Sequence, residues 1–322
     1  MKIFPLNLIP YNSRFDFMRL RFVSVAVAAL LTLGAIGAIA FQGFNFALDF
    51  TGGVGIELRF AKPVDVDQVR NQVSAAGFDN AQVQTFGSGQ DILIRLQDKG
   101  QGTQSASDTG SIAQDVLRAT TSADNPAEIR SSAAISAQVG KELALNGIYA
   151  LLFVIVGFLA YISFRFELKF AIASIVTTMS DIVIVAGWFA VTGHEFDLTV
   201  LAGILSALGY SINDKIVVFD RVRENFRGMR AEPREILNAS INQTLSRTVI
   251  VSFVAFLTVL ALYLYGGGSL KGMAESQMIG IVLGTLSSIF VACPLLLWLR
   301  AIPPAYPRPR SGRGTGSRSE PG

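Results

Sequence analysis

Six stretches of this chain are too apolar and too long to be covered by the rest of a 322-residue protein in water: 22–41, 143–164, 170–193, 198–219, 248–265 and 276–299. A bilayer core about 30 Å thick needs roughly 20 apolar residues in helical form. Each stretch meets that length, so six transmembrane helices are predicted. Four of the six contain no Asp, Glu, Lys, Arg or His. The composition agrees, with 51% hydrophobic and 16% charged residues, against about 25% charged in ordinary soluble domains. The first run contains Ala38-Ile39-Ala40, a triplet resembling a signal cleavage site. A signal h-region spans only about 7–15 residues, so an uncleaved anchor is expected instead.

Loop charge sets the orientation, because short cytoplasmic loops are enriched in Lys and Arg. Lys2, Arg14, Arg19 and Arg21 precede the first span, and Arg165 and Lys169 lie between the second and third. Five arginines from Arg221 to Arg234 lie between the fourth and fifth, and five more from Arg300 to Arg318 follow the sixth. The other side has no Lys or Arg between spans three and four and only Lys271 between five and six. Both termini are therefore expected in the cytoplasm, with residues 1–21 as its N-terminal segment, 220–247 as a cytoplasmic loop and 42–142 as one domain outside. Residues 45–142 carry 8 Lys and Arg against 12 Asp and Glu, so the basic balance belongs to the membrane part. That pattern implies topology and contact with anionic lipid, not nucleic-acid binding.

The outer domain reads as mixed α and β. Val54, Ile56, Leu58 and Phe60 alternate with Gly55, Glu57 and Arg59, the pattern of a half-buried strand over 54–60. Pro63 and Asp65 open a helix whose apolar face is Val66, Val69, Val73 and Ala76, ended by Gly77. Ala81–Phe86 and Asp91–Leu96 flank Gly87-Ser88-Gly89 as a hairpin. Residues 98–110 read as a flexible loop, Ile112–Thr120 as a short helix and Glu128–Ile135 as a last strand. The order β-α-β-β-α-β suggests a small ferredoxin-like fold. The Pro-, Gly- and Arg-rich tail 303–322 lacks the apolar content to pack.

Ionisable residues inside a membrane are functional candidates by default, because burying their charge is costly. Asp181 falls near the middle of span three, with Thr177, Thr178 and Ser180 as helical neighbours able to hydrogen-bond to it. Asp214 falls in the cytoplasmic quarter of span four, after Tyr210, Ser211 and Asn213. Arg247, at the cytoplasmic start of span five, lies at a similar depth, so helix packing is expected to bring it to Asp214. Protonation of a carboxylate facing an arginine is sensitive to small movements, as a proton relay requires. The competing reading makes these residues static helix glue. Lys215 is expected to snorkel to water. Gly203, Ala207 and Ser211 form a small-residue packing stripe. His194 is read as solvated, Cys293 as a small apolar side chain, and 220–247 as carrying a helix on the membrane surface, with Leu237, Ile241 and Leu245 on one face. Asn238-Ala239-Ser240 matches a glycosylation sequon but lies on the cytoplasmic side. No cysteine pair or histidine cluster suggests a metal, and no cofactor is expected. These residues describe a proton-linked machine with a moving outer domain or a solute transporter, and leave the cargo open.

Gly209-Tyr210-Ser211-Ile212-Asn213-Asp214, followed by Val217-Val218-Phe219-Asp220-Arg221-Val222-Arg223-Glu224-Asn225, resembles the signature of the SecF family. Asp49-Phe50-Thr51-Gly52-Gly53, Val139-Gly140-Lys141-Glu142-Leu143, Gln243-Thr244-Leu245-Ser246-Arg247-Thr248 and Gly266-Gly267 resemble further family motifs in the family's order. The resemblance covers residues 1–300. It implies six spans arranged like half of an RND transporter, with a ferredoxin-like periplasmic domain, in the bacterial inner membrane. It implies no enzyme activity. It implies work with SecD beside the SecYEG channel, using the proton motive force to draw preproteins outward after the SecA stage. The family's functional carboxylate falls on Asp214 and its functional arginine on Arg247, while the partner carboxylate belongs to SecD. Three positions depart from the pattern: Lys215 where a small hydroxyl is usual, Ser180 where His is common before Asp181, and Met273 in place of Phe. An RND-type small-molecule efflux transporter is the rival, although that would normally need a second six-span half. A non-motor scaffold of the export complex is the other.

Overall fold

In hydrocarbon every backbone N–H and C=O must be satisfied within its own segment, so uncharged apolar runs become helices. The computed structural model describes residues 15–78, 81–86, 89–96, 106–135 and 137–299, and within them the six runs are helical. They are α1 (Arg21–Gln42), α5 (Ala137–Arg165), α6 (Leu168–Thr192), α7 (Leu198–Gly228), α8 (Pro233–Tyr265) and a sixth span that starts as α9 (Gly268–Ser287). That span continues through a π-helical segment, Ser288–Ala292, into α10 (Cys293–Trp298). Each helix ends where its sequence supplies a stop. Gly43 and Gly193 adopt φ of 70° and 67° after α1 and α6, a conformation open to glycine at little steric cost. Asp197 caps α7 by accepting from the Val200 amide at 2.7 Å, and Pro233 begins α8 where a missing N–H costs nothing.

Between α1 and α5 lie β1 (Asn45–Phe46), the short α2 (Leu48–Thr51), β2 (Gly53–Phe60), α3 (Val66–Ala75), β3 (Gln82–Phe86), β4 (Asp91–Leu96), α4 (Ala106–Thr120) and β5 (Ala127–Ile135). The series from β2 to β5 follows the expected β-α-β-β-α-β order. Its four strands form an antiparallel sheet in the order β3-β4-β2-β5. Alternation buries Val54, Ile56, Leu58 and Phe60 with Val69, Val73 and Val116 of the two helices. Helix α4 begins six residues before the expected Ile112, because its first turn and a half is polar and shows no apolar period. The remainder of the expected loop 98–110, Gly87-Ser88 of the hairpin turn, residues 1–14 and the tail 303–322 lie outside the described residues.

The stretch 220–247, expected as a loop with a helix lying on the membrane, has a different form. Helix α7 runs on to Gly228, and α8 rises from Pro233 without a break into the fifth span. Leu237, Ile241 and Leu245 point into the protein, where they join one core with Met18, Phe219 and Val222. An amphipathic face covered by protein has no reason to lie on lipid.

The α6, α7 and α9 spans are the most buried, while α1, α5 and most of α8 present apolar faces outward. Close approach of α7 to α9 explains the stripe of small residues. A Cβ on Gly203 would strike Ser276 and the Met273 carbonyl; one on Gly280 would strike Ala207. One on Gly284 would lie 2.8 Å from the Ser211 Cβ. Gly280→Ala therefore wedges the two helices apart. It is expected to cost about 1–3 kcal/mol by overpacking, read as a lowered unfolding midpoint of the purified chain.

Candidate functional site

Consecutive helical residues point about 100° apart, so Asp214 and Lys215 must face different neighbours. Lys215 turns to α6. Its side chain is fully buried, and its Nζ lies 2.9 Å from Asp181 Oδ2. The same ammonium donates to Ser211 Oγ, one turn earlier, at 2.5 Å. Ser211 Oγ and Ser287 Oγ donate to Asp181 Oδ2 at 2.9 and 2.7 Å. Lys215 thus does not snorkel, because the carboxylate of the adjoining helix is within reach.

None of the expected helical partners of Asp181 bonds to it. Thr177 Oγ1 donates back to the Ala173 and Ser174 carbonyls at 2.9 Å, and Ser180 pairs with Thr32 of α1 at 2.5 Å. Thr178 Oγ1 is buried without a hydrogen-bond partner.

Asp214 faces the sixth span, where Ser288 Oγ donates to Oδ2 at 2.7 Å. Among the described residues it has no ion pair. Tyr210, one turn before it, donates instead to Ser252 of α8 at 2.8 Å. Arg247 is exposed and forms no ion pair among the described residues, although its charge acts on Asp214. The structure brings Asp214 and Arg247 to one region without direct contact.

The two serines on the sixth span were not visible as candidates in the sequence, since hydroxyls are common in membrane helices. Their local setting was the available signal. Pro294 has no N–H to offer the carbonyl of Phe290, which accepts from Ser24 Oγ of α1 at 2.7 Å. The helix widens into its π segment just there, a distortion frequent at functional sites. Neighbouring hydroxyls Ser287 and Ser288 then reach carboxylates on two different helices, one on α6 and one on α7. The result is a buried polar layer, Asp181–Lys215–Ser211–Ser287 beside Asp214–Ser288, inside otherwise apolar spans. Chemically it offers two carboxylates, one ammonium and three hydroxyls within one hydrogen-bonded layer. Among the described residues no three His, Cys, Asp or Glu side chains gather into a metal-binding group.

The signature residues at the end of the spans away from the α/β domain act as clamps. Arg165 at the end of α5 bonds Asp220 at 3.0 Å, and Asn225 donates to Ser240 and Gln243 of α8 at 2.8 and 2.9 Å. At the opposite end the α/β domain is tied to the spans. β1 pairs in parallel with β6 (Glu195–Phe196), and Asp49 accepts from the Leu198 amide at 3.3 Å. A Cβ on Gly140 would lie 3.1 Å from Phe50 O, so α5 starts hard against α2. His194, expected to be only solvated, faces Glu275 at 2.9 Å.

Arg95 of β4 is buried and ion-paired with Glu195, with Asp197 and Asp49 nearby. Burial pulls the Arg95 pKa down to about 10, against the pull of Asp197 and then Asp49, and it stays a cation at neutral pH. Arg95→Met leaves Glu195 without its partner. It is expected to loosen the domain from the spans by about 1.5–3 kcal/mol. Hydrogen exchange should then quicken at least about tenfold in β1, β6 and the neighbouring turn, with the sheet core unchanged.

Residues 115–301 match the family described as "Protein export membrane protein SecD/SecF, C-terminal", and residues 37–64 match "SecD/SecF GG Motif". The Pseudomonas aeruginosa protein translocase subunit SecF is 42% identical over 88% of this chain and 91% of its own length. The Escherichia coli O157:H7 protein of the same name is 38% identical over 88% of both chains. Among solved structures, the crystal structure of SecDF, a translocon-associated membrane protein from Thermus thermophilus, superposes with a TM-score of 0.82 at 34% identity. That match covers 91% of this chain and 40% of the SecDF chain. SecDF in its super-membrane-facing form matches with a TM-score of 0.65 at 36% identity, over 90% of this chain and 39% of the other.

Proposed function

This chain belongs to the SecF family of protein translocase subunits, and from that premise we propose that it is the proton-coupled half of an export motor completed by SecD. In this reading it sits in the bacterial inner membrane with both termini in the cytoplasm. With SecD, beside the SecYEG channel, it draws preproteins outward after the SecA-driven stage. The energy source is the proton gradient and no cofactor takes part.

The observation that carries the reading is Asp214: a buried carboxylate, hydrogen-bonded to Ser288, without an ion pair among the described residues, in a layer where Lys215 already matches Asp181. A change of charge at Asp214 alters its attraction to Arg247 and its bond to Ser288. It thereby biases the packing of α7 against α8 and the sixth span. A charge crossing the membrane field is worth about 2.3 kcal/mol per 100 mV, roughly a fiftyfold shift in a two-state equilibrium. The α/β domain, fastened to the far ends of the spans through β1, β6 and Arg95, is the element such a shift moves.

The test is reconstitution of this chain with a SecD partner in vesicles carrying the export channel. After ATP is removed from a half-translocated preprotein, an imposed proton gradient should complete export with both subunits and not with either alone. Completion that ignores the gradient would leave a scaffold, and gradient-driven loss of a small dye in place of preprotein movement would indicate an efflux transporter.

A further inference from the structure

An ammonium group inside a membrane span needs oxygens around it, and oxygens gathered inside a membrane span need a cation. Asp181 Oδ2, Ser211 Oγ and Ser287 Oγ converge from three different helices, and Lys215 Nζ lies within 2.9 and 2.5 Å of the first two. All four side chains are nine-tenths or more buried. One carboxylate and neutral hydroxyls make a donor set of charge −1, matched to a single positive charge. Hard oxygen ligands of this kind suit a small inorganic cation as well as an ammonium.

Beside this group lies a cavity lined by Thr178, Asp181, Ser211, Ala207, Ile204 and Gly280, with room for about one water molecule. Thr178 is 2% exposed, and its hydroxyl is buried with no hydrogen-bond partner. A buried, unpartnered hydroxyl on a cavity of that size points to a ligand, either water or an ion. Val185 and Ile204 belong to its apolar lining.

We propose that Asp181 and Ser211, buttressed by Ser287 and bordered by the cavity under Thr178, form a monovalent-cation site that the tethered ammonium of Lys215 permanently fills in this chain. Sodium is thereby excluded from the layer that holds Asp214. The carboxylate of Asp181 keeps one fixed counterion, and protons remain the species exchanged at Asp214. The consequence for coupling rests on the proton-driven reading above; the site itself does not, and its test uses no export or proton readout.

The experiment compares thermal unfolding of the full chain in lipid nanodiscs in sodium, lithium, potassium and choline chloride at one ionic strength. Wild type should unfold at the same temperature in all four. Lys215→Ala opens the site, so its midpoint should fall in choline and recover by roughly 5 °C in a saturable way with sodium. Lys215→Ala/Asp181→Asn removes site and ligand together, and it should be more stable than the single variant in choline and indifferent to the salt. A single variant that responds equally to every salt, or fails to assemble in sodium as well as in choline, overturns the proposal. So does a double variant with the same sodium response. The wild-type arm stands by itself: a sodium-dependent midpoint in wild type also overturns it.

Discussion

Asp214→Asn is expected to reduce gradient-driven completion of export by more than about tenfold, to the level seen without the chain, while assembly with SecD is unchanged. The substitution keeps the shape of the side chain and its ability to accept from Ser288, so packing of α7 against the sixth span is retained. What disappears is the capacity to gain and lose a proton. Arg247→Met removes the exposed cation whose charge acts on Asp214, without touching a buried contact. It should lower gradient-driven export while leaving the unfolding midpoint where it was. Preprotein completion after ATP removal, measured alongside co-purification with SecD, checks both.

Lys215→Met carries the largest expected loss of stability. It strips the partner from a buried carboxylate that sits in the middle of α6, leaving Asp181 with hydroxyl donors alone. Breaking a buried pair from one side costs about 3–5 kcal/mol, whereas replacing both members with apolar or neutral groups of similar size is often close to neutral. Lys215→Met/Asp181→Leu should therefore recover most of the loss. Chaotrope unfolding in mixed micelles, with all four corners of the cycle measured, gives the coupling directly. A double variant as unstable as Lys215→Met would mean that the pair does not set the stability of this layer.

Much of this architecture was legible in the sequence because hydrocarbon leaves few options. Uncharged runs of the right length had to become helices, and a carboxylate within one, as at Asp181 and Asp214, had to be noticed. Strand alternation at Val54–Phe60 and the hairpin at Phe86–Asp91 were legible for a similar reason, since period two has one structural meaning. What stayed hidden depended on the third dimension. Lys215 looked free to snorkel because an isolated helix offers no partner, and its partner belongs to the preceding span. Ser287 and Ser288 looked ordinary because only the π segment and the convergence of α6 and α7 give them carboxylates to serve. Leu237, Ile241 and Leu245 showed an apolar face, but periodicity does not say whether protein or lipid covers it. The Arg95–Glu195 pair joins residues 100 positions apart across two parts of the fold, and no local pattern announces it.

The departure at Lys215 also locates the functional question. With Asp181 and Lys215 paired, the polar layer divides into one matched half and one half whose carboxylate lacks an ion pair among the described residues. Proton flux through lipid vesicles containing this chain and SecD, followed with an internal pH-sensitive dye after an imposed potential, tests that division most directly. Wild type should show flux, Asp214→Asn only background flux, and Lys215→Met/Asp181→Leu retained flux. Flux in Asp214→Asn equal to wild type would contradict a proton-exchanging role for Asp214.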